Sequence, residues 1–293
     1  MWTPDVCFYH DPCDDGFASA WVVRRKWPTC QLVGVNYGLA VPDVDLAGKN
    51  LLIADFSYKP EVLERLSEKA RTIVILDHHK TAQVDLETFA VFNPVDCETI
   101  DAIVSATQPG LGNVRAVFNM AKSGAALTWE FCNPGEPLPY FVRLIEDRDL
   151  WRFAYAETRE FSLYLRSFPR TFDDWDAVAD RLTHNPELAL GEAKGIQRFY
   201  DAKLAELVPT AVIGAIGKWK GVPIAHAPYA FASDLAHELL EAHPSAPFAA
   251  VVVNAYGGTT YSLRSTDARQ DVSEVARTFG GGGHRNAAGF RMP

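Results

Sequence analysis

Three short apolar runs within the first 80 residues each end in acids or imidazoles, and this pattern constrains the fold more than any other feature of the chain. Residues 6–9 (VCFY) lead into His10, Asp11, Asp14 and Asp15; residues 51–54 (LLIA) into Asp55; residues 72–76 (TIVIL) into Asp77, His78 and His79. Short apolar runs of this kind read as strands buried on both faces. The segments between them carry helical patterns. Residues 16–27 (GFASAWVVRRKW) place Phe17, Ala20 and Trp21 on one face, and 60–70 (PEVLERLSEKA) form an amphipathic helix opened by Pro60. Strands spaced by helices predict βαβ units and a largely parallel sheet. The C-terminal tips of parallel strands share one edge, where ligand crevices form. Residues far apart in sequence should therefore converge there.

The remaining chain divides into two patterns. Residues 123–132 and 138–147 read as further helices, and 186–208 as one long helix with a polar face. After it come a strand, turn and strand over 210–228, a helix over 230–241, and a hairpin over 247–266 turning at Gly257-Gly258. A helix over 271–279 has Asp271 at its N-cap and runs into four glycines. The expected architecture is an α/β parallel-sheet domain over 1–190, a linker helix over 191–208 and a smaller α/β domain over 209–293. Residues 98–118 read as an insertion, a surface hairpin or loop.

Composition narrows the function. The 293 residues are 48% hydrophobic and 22% charged, enough to bury a sizeable core. A net charge of -9 argues against coating long duplex nucleic acid, which needs a Lys/Arg surface to displace counterions. A small anionic substrate, held by metals and a few local cations, remains compatible. The five cysteines are scattered, without a CxxC pair, as reduced thiols in a cytoplasmic protein would be. The N-terminus carries no basic segment followed by an apolar one, and no apolar run approaches the ~20 residues of a membrane span. The expectation is a soluble, cytoplasmic protein without membrane partners; a homodimer stays open.

Crowded carboxylates repel and raise one another's pKa, so a cation must hold them together. Mixed Asp and His donors suit Mn²⁺, Mg²⁺ or Fe²⁺ better than a structural Zn²⁺. There are donors enough for two ions sharing a carboxylate, and such a pair, about 3.5–4 Å apart, activates a water and clamps a phosphoryl centre. A further acidic group, IEDRDLW (145–151), closes a predicted helix; alone it reads as a solvated helix end with an Arg148 salt bridge. The last constellation is FGGGGHRNAAGF (279–290). Its glycines can bring backbone N–H groups close to a ligand, and five arginines (264, 269, 277, 285 and 291) stand among three acids from residue 264 onward.

Together, DHHK (77–80) after a strand, the aspartate of LLIADFS (51–57), YHDPCDDGFASAW (9–21) and GGGGHRNAAGF (280–290) resemble the DHH phosphoesterase family in its two-domain form with a C-terminal DHHA1 domain. The resemblance spans nearly the whole chain. Its first and fourth motifs are most similar to the branch of small-oligonucleotide (oligoribonuclease) and cyclic-nucleotide phosphodiesterases. It implies two Mn²⁺ ions, with Mg²⁺ or another divalent ion as the substitute. It implies His10, Asp15, Asp55, His78 and Asp149 as ligands, with Asp55 bridging and Asp147 as the alternative to Asp149. His79 would contact the scissile phosphate, and Asp77 would orient the histidines or touch the metal. Arg264, Gly282, Gly283, His284 and Arg285 would bind the rest of a short oligonucleotide or small nucleotide. One departure stands out. The family's first motif alternates aspartates as D-x-D, but here Cys13 sits two before Asp15, with Asp14 between. Either Asp14 fills the slot through a one-residue shift or Cys13 serves as a soft ligand. The rival readings are a phosphoanhydride hydrolase, such as a pyrophosphatase or exopolyphosphatase, and a non-catalytic nucleotide sensor.

Overall fold

In the computed structural model, which describes residues 2–87, 89–92, 104, 112–255 and 258–292, the alternating strands and helices form an α/β unit. Strands β1 (Val6–His10), β2 (Gln31–Val35), β3 (Asn50–Ala54), β4 (Thr72–Asp77), β5 (Ala90–Phe92) and β6 (Val114–Phe118) pair in the order β2-β1-β3-β4-β6-β5. Every pairing is parallel, with Val6 opposite Leu51, Asn50 opposite Thr72 and Ile73 opposite Val114.

Both faces of this sheet are covered, and the period-two alternation of each strand decides which core a residue joins. Cys7, Leu52, Ala54, Val74 and Leu76 pack against one face with Phe17, Trp21, Phe141, Phe161 and Trp175. Phe8, Leu51, Ile53, Ile73 and Ile75 pack against the other with Leu63, Leu66 and Leu86. The first face is layered by α1 (Asp14–Lys26), α4 (Gly124–Cys132), α5 (Tyr140–Asp149), α6 (Thr158–Arg166) and α7 (Phe172–His184); the second carries α2 (Pro60–Ser67) and α3 (Lys80–Asp85). Each fully buried Leu, Ile or Phe contributes about 1.5–3 kcal/mol. That burial makes the sheet rigid enough to hold polar groups at its tips.

One reading of the sequence needs correction, and one strand had gone unassigned. Residues 114–118 belong to no surface loop: they form β6, buried between β4 and β5, and their VRAVF pattern is that of an interior strand. The preceding part of the expected insertion lies mostly outside the described residues. Strand β2, QLVGV, is an edge strand that leaves most of its residues at least partly exposed, and its short LVGV run is broken by Gly34.

The chain divides into two compact units, 1–197 and 198–293, and the division falls inside α8 (Pro186–Leu207). The second unit is a mixed sheet. Strands β7 (Val212–Ile216) and β8 (Trp219–His226) form a hairpin, α9 (Ala232–Ala242) follows, and β9 (Ala249–Ala255) runs parallel to β8. Strand β10 (Gly258–Arg264) returns antiparallel, and α10 (Val272–Arg277) leads to β11 (Gly282–Gly283) and β12 (Ala287–Met292). The order is β11-β12-β10-β9-β8-β7. Asp271 caps α10 by accepting from Ser273 N, as its position before the apolar run predicts. The expected turn residue Gly257 lies outside the described residues, and Gly258 opens β10.

Candidate metal centre

Asp55 follows the last residue of β3 and stands at φ +54°, a conformation that costs a residue with a Cβ about 1–3 kcal/mol. Its N–H still donates to Leu76 O, so the ladder holds the strained residue in place. The carboxylate is buried and reaches in two directions. Oδ1 lies 3.1 Å from His78 Nε2, and Oδ2 lies 3.4 Å from His10 Nδ1. Neither Asp55 Oδ2 nor His10 Nδ1 completes a hydrogen bond, although both atoms are buried. This approach is permitted by Gly124: a Cβ there would stand 2.5 Å from the Asp55 Cβ.

Asp15 and Asp14 are neighbours with different fates. Asp15 is 1% exposed and accepts from Gly124 N at 2.5 Å and Ala125 N at 3.1 Å, the first amides of α4. A helix N-terminus favours an anion. Asp15 Oδ2 is also 3.7 Å from His78 Nε2, and Asp149 Oδ2 is 3.5 Å from it. Each residue along α1 is rotated by about 100° from the one before it. Asp14 therefore points elsewhere, its two oxygens taken by Arg166 Nε at 2.6 Å and Arg170 Nη2 at 2.8 Å. The residue brought to the cluster is Cys13. His10, Cys13 and Asp55 offer three donor atoms within 4.8 Å of one another, and Asp15, His78 and Asp149 offer three more. Asp14 belongs to neither set. Gly16 makes the β1–α1 bend possible, since a Cβ there would meet the His10 carbonyl at 2.1 Å.

Asp77 sits beneath this layer. Its Oδ1 accepts from His78 N at 2.7 Å, His79 N at 3.1 Å and His79 Nδ1 at 2.6 Å; Oδ2 accepts from Ser57 Oγ at 2.6 Å. Asp77 is thus spent on shaping the Asp-His-His turn, and its bond fixes the proton of His79 on Nδ1. Asp147 is structural too: it accepts from Ala154 N, Tyr155 N and Thr158 Oγ1 and folds the segment after α5 back on itself. Of the two aspartates in IEDRDLW, the structure therefore brings Asp149 to the cluster.

Electrostatics favour a cation among these groups. Burial, then the charges of Asp55 and Asp149, push the Asp15 carboxyl well above its usual range. The Asp149 carboxyl is also raised, partial desolvation and the Asp55 charge acting against the pull of His78. Burial followed by Asp55, Asp149 and Asp15 pushes the Cys13 thiol up. Asp55 goes the other way: burial opposes ionisation, but the His10 and His78 imidazoles hold it well below the ordinary carboxylate range. His78 resists desolvation and is raised to about 10 by Asp149, Asp55 and Asp15. Protons on His78 or the acids, or cations among them, would offset this repulsion. Nitrogen, oxygen and thiol donors around buried, unsatisfied atoms fit divalent ions in their place.

In the second unit the expected substrate residues also bond to their own surroundings. Arg264 donates to Ser233 Oγ at 2.6 Å, Leu263 O and Ser262 Oγ. Arg285 ties down Asp267 O at 2.9 Å, Arg269 O and Asp271 Oδ2. Gly282 and Gly283 pair with Gly289 and Ala288, and His284 N donates to Ala287 O to close the turn. Gly281 is required because a Cβ would meet Gly289 O at 2.1 Å.

The sequence reading passed over Ser57, Gly124 and Tyr37. Ser57 carried a signal, two residues beyond Asp55 in LLIADFS; Gly124 carried one in SGAA, a small residue behind the Ser123 cap. Tyr37 had none. It is 44% exposed and its ring lies 5.3 Å from His10 and 6.1 Å from His79.

No family model matches the chain. It is 30% identical to an uncharacterized protein of Acanthamoeba polyphaga mimivirus over 310 residues, covering 98% of this chain and 67% of that protein. It is 28% identical to Oligoribonuclease NrnB of Bacillus subtilis (strain 168) over 253 residues, covering 82% of this chain and 58% of that one. Among solved structures, a pGpG-specific phosphodiesterase, PggH, from Vibrio cholerae aligns with TM-score 0.47 at 12% identity, over 98% of this chain and 92% of that chain.

Proposed function

The chain belongs to the DHH phosphoesterase family, and from that premise we propose that it is a metal-dependent hydrolase of phosphodiester or phosphomonoester bonds in short oligonucleotides or small nucleotides. The observation that carries this reading is Asp55, whose two oxygens face His10 on one side and His78 on the other. His10, Cys13 and Asp55 would hold one ion, and Asp15, His78, Asp149 and the other Asp55 oxygen a second. Mn²⁺ suits the oxygen-rich half, with Mg²⁺ as its substitute. When bound, such ions make a water nucleophilic near neutral pH and neutralise charge on the phosphoryl oxygens.

The chain's own residues supply position and hydrogen bonds. Asp77, held by Ser57, pins His79 through Nδ1, so that the opposite side of the ring serves a non-bridging phosphoryl oxygen as charge develops there. Tyr37 offers a flat apolar surface beside both histidines, suited to a nucleobase. In the second unit, Arg264, Gly282, Gly283 and His284 are assigned to the remainder of the substrate. Arg285 acts there by fixing the turn that carries His284. The acidic net charge supports short substrates over long duplexes. Among the described residues no helix is long and apolar enough to cross a membrane.

The test is a product assay with Mn²⁺ and a panel of short 5′-phosphorylated oligonucleotides, a 3′,5′-bisphosphonucleoside, cyclic nucleotides and pyrophosphate. Release of mononucleotide or phosphate from the nucleotide substrates, abolished in Asp55→Ala, is the expected outcome. Turnover of pyrophosphate alone would replace this reading by a phosphoanhydride hydrolase. Metal binding without any turnover would favour the sensor, a reading for which the thiol in place of a first-motif carboxylate speaks.

A further inference from the structure

The two halves of the centre differ in donor chemistry. The Asp15, His78 and Asp149 set is one imidazole among carboxylates, a hard site. The His10, Cys13 and Asp55 set contains sulfur. Thiolate selects borderline and soft ions such as Zn²⁺, Co²⁺ or Fe²⁺, whereas carboxylates suit Mn²⁺ and Mg²⁺. We propose that this is a mixed centre, in which Cys13 Sγ, His10 Nδ1 and Asp55 Oδ2 bind a borderline divalent ion while the other half takes a hard one. The inference rests on the metal-centre reading given above and sharpens it.

Three observations besides the thiol support a built site. Asp55 is 1% exposed, and its Oδ2 is buried, without a hydrogen bond and directed at His10. His10 Nδ1 is likewise buried and unsatisfied. Cys13 stands at the N-cap of α1 with extended backbone (φ -139°, ψ 140°), and its Sγ lies within 4.8 Å of the His10 and Asp55 donor atoms.

The experiment uses the full chain, stripped of metal and titrated anaerobically with Co²⁺, with near-ultraviolet absorption as the readout. A sulfur-to-cobalt charge-transfer band should saturate at one Co²⁺ per chain. It should vanish in Cys13→Ser and in Cys13→Asp, and persist in Cys97→Ser. Added Mn²⁺ should leave the band in place in the wild type. Circular dichroism checks that each variant is folded, and Cys13→Asp stands in if Cys13→Ser is not. A band that survives in the Cys13 variants would assign the sulfur to another cysteine and overturn the inference. Co²⁺ binding without the band would overturn it while Asp55-dependent hydrolysis with Mn²⁺ kept the proposed function. Failure to bind either ion would remove both.

Discussion

The centre at the tips of the first sheet and the glycine-histidine turn of the second unit are both rich in polar groups, but they treat them in opposite ways. At the centre, buried groups face one another across distances too long or too charged to be settled: Asp55 Oδ2 and His10 Nδ1 make no hydrogen bond, and three acids surround one imidazole. In the second unit Arg264 and Arg285 each make three hydrogen bonds within their own unit. A polar group with its partners in place contributes to the fold, and one lacking them costs stability unless a ligand compensates. The contrast sets a region whose donors could hold a cation against one whose arginines also hold its own shape.

Four substitutions bear on that contrast. At the centre, Asp77→Ala should lower hydrolysis by about 10–100-fold, the range for residues that orient ligands from behind, with metal content largely retained. Steady-state kinetics beside metal analysis would check this; equal loss of metal and activity would mean that Asp77 is itself a ligand. Gly124→Ala should cost roughly 1–3 kcal/mol, because the new methyl must displace the Asp55 Cβ 2.5 Å away. Thermal melts with and without Mn²⁺ should show the larger loss in the metal-bound protein. In the second unit, Arg285→Ala should cost roughly 1–3 kcal/mol of stability through its lost bonds to Asp267, Arg269 and Asp271, with a smaller change in metal binding than any centre variant. The smallest effect is expected for Asp14→Asn. It should leave metal stoichiometry unchanged and weaken only the pairing with Arg166 and Arg170, by about 1 kcal/mol or less in a denaturant titration.

Much of this was legible in the sequence, and what was not has physical reasons. The interior strands announced themselves because burial on both faces demands unbroken apolar runs, and their polar ends followed from the parallel topology. Strand β6 was readable in VRAVF but was absorbed into a supposed insertion, since nothing in a sequence says which neighbours a short strand will have. The choice between Cys13 and Asp14 depended on where α1 begins, and helix boundaries are poorly marked by sequence alone. Asp147 and Asp149 share a helix and a composition. Only the segment after α5, folded back onto Asp147, separates the structural acid from the one beside His78. Tyr37 lies in a loop after an edge strand, and its place beside two histidines is a tertiary fact.

The central claim is that Asp55 is shared between two metal-binding halves. Equilibrium dialysis of the metal-stripped chain against divalent ions, followed by elemental analysis, tests it most directly. The account predicts two ions per wild-type chain and loss of at least one in Asp55→Ala with the fold intact. A single ion in the wild type, or two ions retained in Asp55→Ala, would contradict it.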